Sequence, residues 1–210
     1  MKPIVSEQDF PTADQFVYLN AANVALMYSG AEQVIKEWVA DVAQNGSNNV
    51  HEDAEENVFK DLHRAAAHLI NATADDIAAG SSATELLCSL AWAVSPEKEQ
   101  NVVSTEIVFP STVYPWQRVA NSTGCEIRLA KEKNNFMHPD DIIDLIDQHT
   151  AVVCISHVEY SNGQSFDLQL LAEAAQDHDA LLVVDATQSA GAIPIDVEAC
   201  PVDALISGSY

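Results

Sequence analysis

Short apolar runs alternate with helical segments from about residue 77 to residue 207, and this alternation restricts the fold more than any other sequence feature. The apolar runs have the length of strands, and the segments between them have the apolar periodicity of helices. Strands that alternate with helices pair in parallel, and the helices pack against the sheet. The sequence therefore predicts an α/β fold with a mostly parallel sheet and helices on both of its faces.

The predicted strands cover residues 77–79, 101–109, 125–130, a run from residue 151, 181–184 and 204–207. The predicted helices cover residues 31–46, 53–70, 83–94, 113–122, a segment from about residue 139, and 168–178. Residues 1–30 lack either periodicity, so we expect an irregular N-terminal arm there and one larger domain over residues 31–210.

The apolar run at residues 181–184 ends at an acid, Asp185. A run without polar residues is typical of a strand that is buried on both faces. In open α/β sheets the carboxyl ends of the strands border the ligand crevice, so Asp185 is a candidate site residue. Alternatively, Asp185 caps a helix that begins at Ala186, because aspartate is a favoured N-cap residue.

A turn of small residues, Gly80 to Ser82, precedes the helix predicted at residues 83–94. Such a turn leaves free backbone N–H groups at the positive end of the helix dipole, and Ser82 and Thr84 can add hydroxyl donors. This arrangement predicts an anion cradle. The alternative is an ordinary serine N-cap at Ser82 with Glu85 completing a capping box.

The segment FPSTVYPW holds two prolines and three aromatic residues, and it predicts a stiff loop after a strand. Phe109 stands at the start of this loop. An exposed aromatic ring at a strand end can stack on a planar ligand, although packing in a core is the more common fate of phenylalanine. Tyr160, Ser161 and Asn162 follow another predicted strand and so lie where ligands bind.

The charge of the chain argues against a nucleic-acid partner. Nine lysines and arginines stand against 32 aspartates and glutamates, which gives a net charge of −23 at pH 7. Such a chain repels phosphate backbones. The sequence also has no apolar run near the length of about 18 residues that a membrane span needs, and no secretory segment at its N-terminus. We therefore expect a cytoplasmic protein without a membrane or nucleic-acid partner.

The spacing of cysteines and histidines argues against a metal site. His63 and His68 fall in one predicted helix but not on one face of it. The cysteines form no C-x-x-C pair, and small buried thiols are the simplest interpretation of most of them. They are Cys88, Cys125, Cys154 and Cys200.

Five motifs, taken in order, resemble the class V aminotransferase family of pyridoxal-phosphate enzymes. They are VYLNAA near the N-terminus, SSATE, FPSTVYPW, VVDATQSAGAIPIDV and DALISGSY. The family includes cysteine desulfurases, isopenicillin-N-epimerase-like proteins and kynureninases, and the resemblance covers nearly the whole chain. It implies that residues 31–210 are the cofactor-binding large domain of a fold-type-I enzyme, incomplete at its C-terminal end, without the C-terminal small domain.

The resemblance also implies a pyridoxal 5'-phosphate site and a role for each matching residue. Ala83 and Thr84 would bind the phosphate through backbone N–H groups. Phe109 would stack on the ring, Asp185 would pair with the pyridinium nitrogen, and Gln188 would bind the phenolic oxygen. Asp185 and Phe109 are therefore the catalytic candidates, and a homodimer is expected because these enzymes usually form one.

Ser209 and Tyr210 match the Ser-Tyr that precedes the Schiff-base lysine in kynureninases, where the tyrosine reaches the phosphate. The family's lysine follows directly after the position of Tyr210, where the sequence stops. We therefore expect a fragment of a longer protein. Tyr160 occupies the place of a desulfurase asparagine, so the resemblance gives it no clear cofactor contact.

The resemblance implies an enzyme that acts on an amino acid, and we expect transaminase-like chemistry through an external aldimine and a Cα carbanion. A desulfurase is disfavoured because Phe109 replaces a histidine. Phe109 and the Ser209–Tyr210 pair suggest a kynureninase, but Thr112 stands in place of an acid and Gln188 in place of a histidine. A racemase or lyase stays open, as does a truncated relative without catalytic activity.

Overall fold

A parallel sheet organises the chain in a computed structural model, which describes residues 6–10, 12 and 15–208. The strands are β1 Asn101–Thr105, β2 Glu126–Ala130, β3 Thr150–Ser156, β4 Leu181–Asp185 and β5 Ala204–Ile206. Their order across the sheet is β2-β1-β3-β4-β5, and every neighbouring pair is parallel. The carboxyl ends of all these strands therefore point to the same edge.

Helices lie in the connections β1–β2, β2–β3 and β3–β4 and in the region before β1. They are α1 Ser29–Asn45, α2 Glu52–Asn57, α3 Lys60–Ile70, α4 Ala83–Val94, α5 Pro110–Thr123, α6 Pro139–Ile143 and α7 Leu168–Gln176. Short 3-10 turns cover Glu7–Asp9 and Ala74–Asp76.

Two apolar cores lie on opposite faces of the sheet, because successive strand residues point to opposite sides. Val102 of β1 belongs to the core formed with α4 and α5, whose buried members include Leu87 and Trp116. The next residue, Val103, belongs to the core formed with α6 and α7, which includes Leu171. The predicted fold, a mostly parallel sheet with helices on both faces, is confirmed.

The chain divides into two compact units between Asp61 and Leu62. The first contains α1 and α2, and α1 is followed by Gly46, whose φ of 59° suits glycine in this left-handed region. The second unit contains the sheet and α4 to α7. The predicted arm over residues 1–30 and domain over 31–210 stay predictions.

The strand at residues 181–184 and the helix at residues 83–94 are confirmed, and β4 also includes Asp185. Other predictions were wrong in part. The helix predicted over residues 53–70 is two helices, because α2 ends at Asn57 and α3 begins at Lys60. The residues predicted as a strand at 77–79 belong to no strand of the described sheet, although the backbone of Ile77 is extended.

The segment FPSTVYPW is helical rather than a loop. β1 ends at Thr105, and α5 begins at Pro110. Proline is well tolerated in the first turn of a helix, because its missing N–H would have no partner there and its φ is already helical. A second proline, Pro115, lies buried within the same helix. α5 ends at Thr123, and the following Gly124 has a φ of 84°, in the left-handed region that suits glycine.

Candidate functional site

The carboxyl edge of the sheet brings together segments that are far apart in the sequence. Ser156, the last residue of β3, is in register with Asp185, the last residue of β4. Asp185 is in turn in register with Ile206 of β5. Tyr160 follows β3, Gln188 follows β4 and Phe109 follows β1, so these candidate residues lie at the carboxyl edge of the sheet.

Asp185 is buried, with 6% of its surface exposed. Its Oδ2 accepts a hydrogen bond from the Thr112 hydroxyl at 3.1 Å. Its Oδ1 accepts one from the Thr187 backbone N–H at 3.0 Å. The following residues form a turn and not a helix, so the interpretation of Asp185 as a helix cap was wrong. Each carboxylate oxygen can accept a further donor.

Thr112 is a site residue that the sequence analysis did not assign. It is fully buried in the first turn of α5, which had been predicted as a loop. Cys154 donates its thiol hydrogen to the Thr112 carbonyl at a distance of 3.4 Å. Burial raises the pKa of Cys154 to about 12, so this cysteine stays a neutral thiol.

Phe109 and Tyr160 form an aromatic pair at the same edge. Phe109 directly precedes α5, and Tyr160 lies in the turn after β3. Their ring centroids are 5.3 Å apart with an interplanar angle of 87°, an edge-to-face arrangement that aromatic rings favour. The two side chains are 44% and 46% exposed, so part of the Phe109 surface is open to a ligand.

The N-terminus of α4 has the Ser82 cap that the sequence analysis gave as an alternative, but Glu85 does not complete the capping box, because its side chain bonds to Ser81. Ser82 Oγ accepts a hydrogen bond from the Glu85 N–H at 3.1 Å. The Glu85 carboxylate accepts from the N–H and the hydroxyl of Ser81, both at 2.6 Å, and these bonds lower its pKa. Neither Ala83 nor Thr84 donates its N–H within the described part of the chain. The cap thus leaves two donors available for an anion.

Gln188 follows Asp185 in the same turn and is half-buried. Ser209 and Tyr210 lie outside the described residues. The last described residue, Gly208, donates its N–H to the Thr187 hydroxyl at 3.0 Å.

A second acid, Glu159, is buried at this edge and was also missed in the sequence analysis. It is 1% exposed, and neither carboxyl oxygen has a hydrogen-bond partner in the described structure. Burial raises its pKa to about 7, with a smaller contribution from the negative charge of Asp185. His157 is also buried, and burial lowers its pKa. An acid in the polar turn after an apolar strand was the signal that could have identified Glu159.

No group of three or more histidine, cysteine, aspartate or glutamate side chains in the described ranges could hold a metal ion. Across the same residues, no helix combines the length and the apolar composition that crossing a membrane would need.

Comparison with known proteins gives a family match over most of the chain. The model of the family "Aminotransferase class-V" matches residues 17–210. An uncharacterized aminotransferase of Bacillus subtilis, YcbU, is 29% identical over 202 residues, which are 96% of this chain and 53% of that protein. A probable cysteine desulfurase of Methanothermobacter thermautotrophicus is 26% identical over 201 residues, 93% of this chain and 50% of that protein.

A kynureninase of Geobacillus thermodenitrificans is 32% identical over 135 residues, 61% of this chain and 32% of that protein. Among solved structures, a C-DES mutant with glycine covalently linked to its PLP cofactor has a TM-score of 0.85. It is 18% identical, and the match covers 97% of this chain and 55% of that one. The chain thus spans about half the length of the aminotransferase and desulfurase relatives.

Proposed function

The chain belongs to the class V aminotransferase family, and from this premise we propose that it is the cofactor-binding part of a pyridoxal-phosphate enzyme acting on an amino acid. The resemblance drawn from the sequence motifs is confirmed. The sheet matches the large domain of fold-type-I enzymes, as that resemblance implied. A homodimeric assembly and a cytoplasmic location belong to the proposal and rest on the resemblance and the sequence alone.

The observation that carries the proposal is the environment of Asp185. A buried carboxylate at the C-terminal end of a parallel strand is costly unless it is hydrogen-bonded. Thr112 and Thr187 supply these hydrogen bonds, one to each carboxylate oxygen. The free lone pairs can accept the N–H of a protonated pyridine ring, whose charge Asp185 would stabilise by Coulomb attraction at low dielectric.

The other described residues fit the remaining parts of the cofactor. The free N–H groups of Ala83 and Thr84 suit a phosphate at the N-terminus of α4. Phe109 is partly exposed and can contact a planar ring, and its edge-to-face contact with Tyr160 helps to fix its orientation. Gln188 has an amide that can bind the phenolic oxygen. When bound, pyridoxal phosphate supplies an electron sink for the bonding electrons released at the α-carbon of the substrate.

Within this family we propose transaminase-like chemistry. Phe109 has no proton to give, so it can orient a ring and exclude water but cannot act as an acid or base. Thr112 and Thr187 donate hydrogen bonds to the Asp185 carboxyl group, and a carboxylate beside the ring nitrogen favours carbanion-stabilising reactions in general. The relative named as an aminotransferase supports the same reaction class.

Cysteine desulfurization is the second candidate, because relatives that cover almost all of this chain are named probable cysteine desulfurases. Against it stands Phe109, which takes the place of a desulfurase histidine according to the resemblance. A kynureninase-like reaction is supported by a relative that matches a shorter part of the chain.

The test is to express the full-length gene product with pyridoxal phosphate and to treat it with borohydride. We expect a visible absorbance band and covalent fixation of the cofactor. The loaded protein is then incubated with amino acids and a 2-oxo acid acceptor, with cysteine alone, and with kynurenine. Exchange of amino groups supports a transaminase, and sulfide release with alanine formation supports a desulfurase. A protein that binds no cofactor would contradict the proposal.

A further inference from the structure

Glu159 is the least satisfied polar side chain at the carboxyl edge of the sheet. Both carboxyl oxygens are buried and lack a hydrogen-bond partner in the described structure. Its backbone is fixed nonetheless: the Glu159 N–H donates to the Gln164 carbonyl at 2.8 Å, and the Gly163 N–H donates to the Glu159 carbonyl at 2.9 Å. The side chain is therefore held at this place by an ordered turn. A buried polar group without a partner calls for a functional or structural explanation.

The charged neighbour of Glu159 is Asp185. Ser156 is in register with Asp185, and the His157 N–H donates to the Asp185 carbonyl at 2.9 Å, so the turn holding Glu159 starts beside the acid. The other titratable groups near it on its own segment are His157, which burial keeps neutral, and Tyr160, whose ring meets Phe109. No cation among the described residues offsets a second negative charge there.

Two ionised carboxylates at neighbouring buried positions repel each other, and one of them then retains its proton. The hydrogen bonds decide which one. Asp185 receives donors from Thr112 and Thr187, which stabilise its charge, whereas Glu159 receives none. The proton therefore belongs on Glu159.

We propose that Glu159 is a positioning residue of the candidate site, which holds a proton beside Asp185 so that the two acids carry one negative charge, located on Asp185. This inference rests on the proposed function where it concerns the cofactor. With the cofactor bound, a neutral Glu159 would leave Asp185 as the single negative charge available to a pyridine nitrogen. Loss of the Glu159 proton would add a second negative charge and would stabilise a protonated ring further.

The first test detects whether Glu159 is protonated in the protein without its cofactor. Infrared spectra of the full-length cofactor-free protein are recorded at pH values about one unit below and one unit above neutrality. We expect the carbonyl stretch of a protonated carboxylic acid at the lower pH and its loss at the higher pH. Glu159→Gln lacks this band, and Glu99→Gln, at an exposed position, keeps it. A wild-type spectrum without a band that depends on Glu159 would overturn the proposal.

The second test measures how the ionisation of Glu159 changes the absorbance of the bound cofactor. The bound cofactor's absorbance is titrated over the same pH range in the loaded wild type, Glu159→Gln and Glu99→Gln. We expect a spectral step near neutrality in the wild type and in Glu99→Gln, and its loss in Glu159→Gln. A merely structural Glu159 would leave the step unchanged in the glutamine variant, which would refute the positioning role. Failure of the wild type to bind the cofactor refutes the proposed function instead, and the infrared result then decides the protonation of Glu159.

Discussion

At the scale of single residues, the site depends on how hydrogen-bond donors are divided between two buried acids. Asp185 has two donors and Glu159 has none. Hydrogen bonds to a charged group are stronger than those between neutral groups, so this unequal division fixes where the negative charge resides. The Thr112 hydroxyl and each of the two acids can be removed separately by a substitution that nearly keeps the shape of the side chain, whereas the Thr187 donor is a backbone N–H.

Replacing Thr112 by valine removes the hydroxyl that donates to Asp185 Oδ2 but keeps the branched shape. We expect the free energy of unfolding at neutral pH to fall by about 1.5–3 kcal/mol, because the buried carboxylate loses a donor. Urea denaturation measures the change. Thr112→Ser keeps the hydroxyl and loses only a methyl group, at a cost of about 1 kcal/mol. Equal losses in both variants would mean that the hydrogen bond contributes nothing.

Replacing Asp185 by asparagine removes the charge and keeps the size. We expect the loaded full-length variant to retain its cofactor through the remaining contacts but to lose nearly all turnover, because a neutral amide does not hold the pyridine ring protonated. Cofactor content and steady-state rates are measured together. The exposed Asp177→Asn serves as the matched control. Wild-type rates in Asp185→Asn would exclude Asp185 from the mechanism.

The pKa of Glu159 makes stability depend on pH. It rises from an ordinary value of 4.5 to about 7 in the folded chain, so the folded state binds a proton that the unfolded state has released over that range. The corresponding stabilisation is fully present below about pH 4.5 and is lost as the pH rises through 7, by an amount on the order of 3 kcal/mol.

We expect Glu159→Gln to lack this decline, because the amide does not ionise. The measurement is the free energy of unfolding from urea titrations at several pH values between these limits, with the difference between wild type and variant taken at each pH. A difference that stays constant across the range would show that Glu159 does not titrate there.

At the scale of elements, a helix or strand was predicted correctly where a single local sequence pattern specified it and no other pattern contradicted it. β4 was predicted because an apolar run of this length has few alternatives, and α4 because a serine cap precedes a long apolar helix. The beginning of α5 was missed because prolines and aromatic residues are typical of loops, while packing of Thr112, Val113 and Trp116 against the sheet makes the segment helical.

The candidate site was predictable only in part for a related reason. The residues after β1, β3 and β4 could be assigned to one edge, because parallel strands end together. The contact between Thr112 and Asp185 spans 73 positions of the sequence and depends on how α5 packs, which no local pattern specifies. Likewise, the lack of hydrogen-bond donors to the Glu159 carboxyl oxygens depends on the folded positions of other residues, which no local pattern specifies.

Asn71, directly after α3, connects the end of that helix to the loop that contains Asp196 and Glu198. Asn71 has a φ of 58°, and its side-chain N–H₂ group donates to Asp196 at 2.9 Å and to Glu198 at 3.4 Å. We expect Asn71→Gly to lose about 1 kcal/mol, because glycine adopts this backbone conformation but makes no side-chain bond. Asn71→Ala should lose about 1 kcal/mol more, since alanine is strained there. Thermal and urea unfolding measure both, and equal losses would mean that the backbone conformation costs alanine nothing.

At the scale of the whole molecule, the net charge of −23 is the dominant property. Like charges repel one another more strongly in the compact state than in the expanded unfolded chain, and salt screens that repulsion. We expect the Tm to rise by about 5 °C when sodium chloride is raised from about 0.01 M to about 0.5 M. Differential scanning calorimetry measures the shift, with sucrose at equal osmolality as the control for osmotic effects. A constant or falling Tm would contradict this expectation.

Thr187 makes hydrogen bonds to two different parts of the chain. Its N–H donates to the Asp185 carboxylate, and its hydroxyl accepts from the Gly208 N–H beyond β5. Thr187 thus links the ends of the two adjacent strands through hydrogen bonds. The position of the backbone after the last strand and the position of the Asp185 carboxylate therefore depend on the same residue.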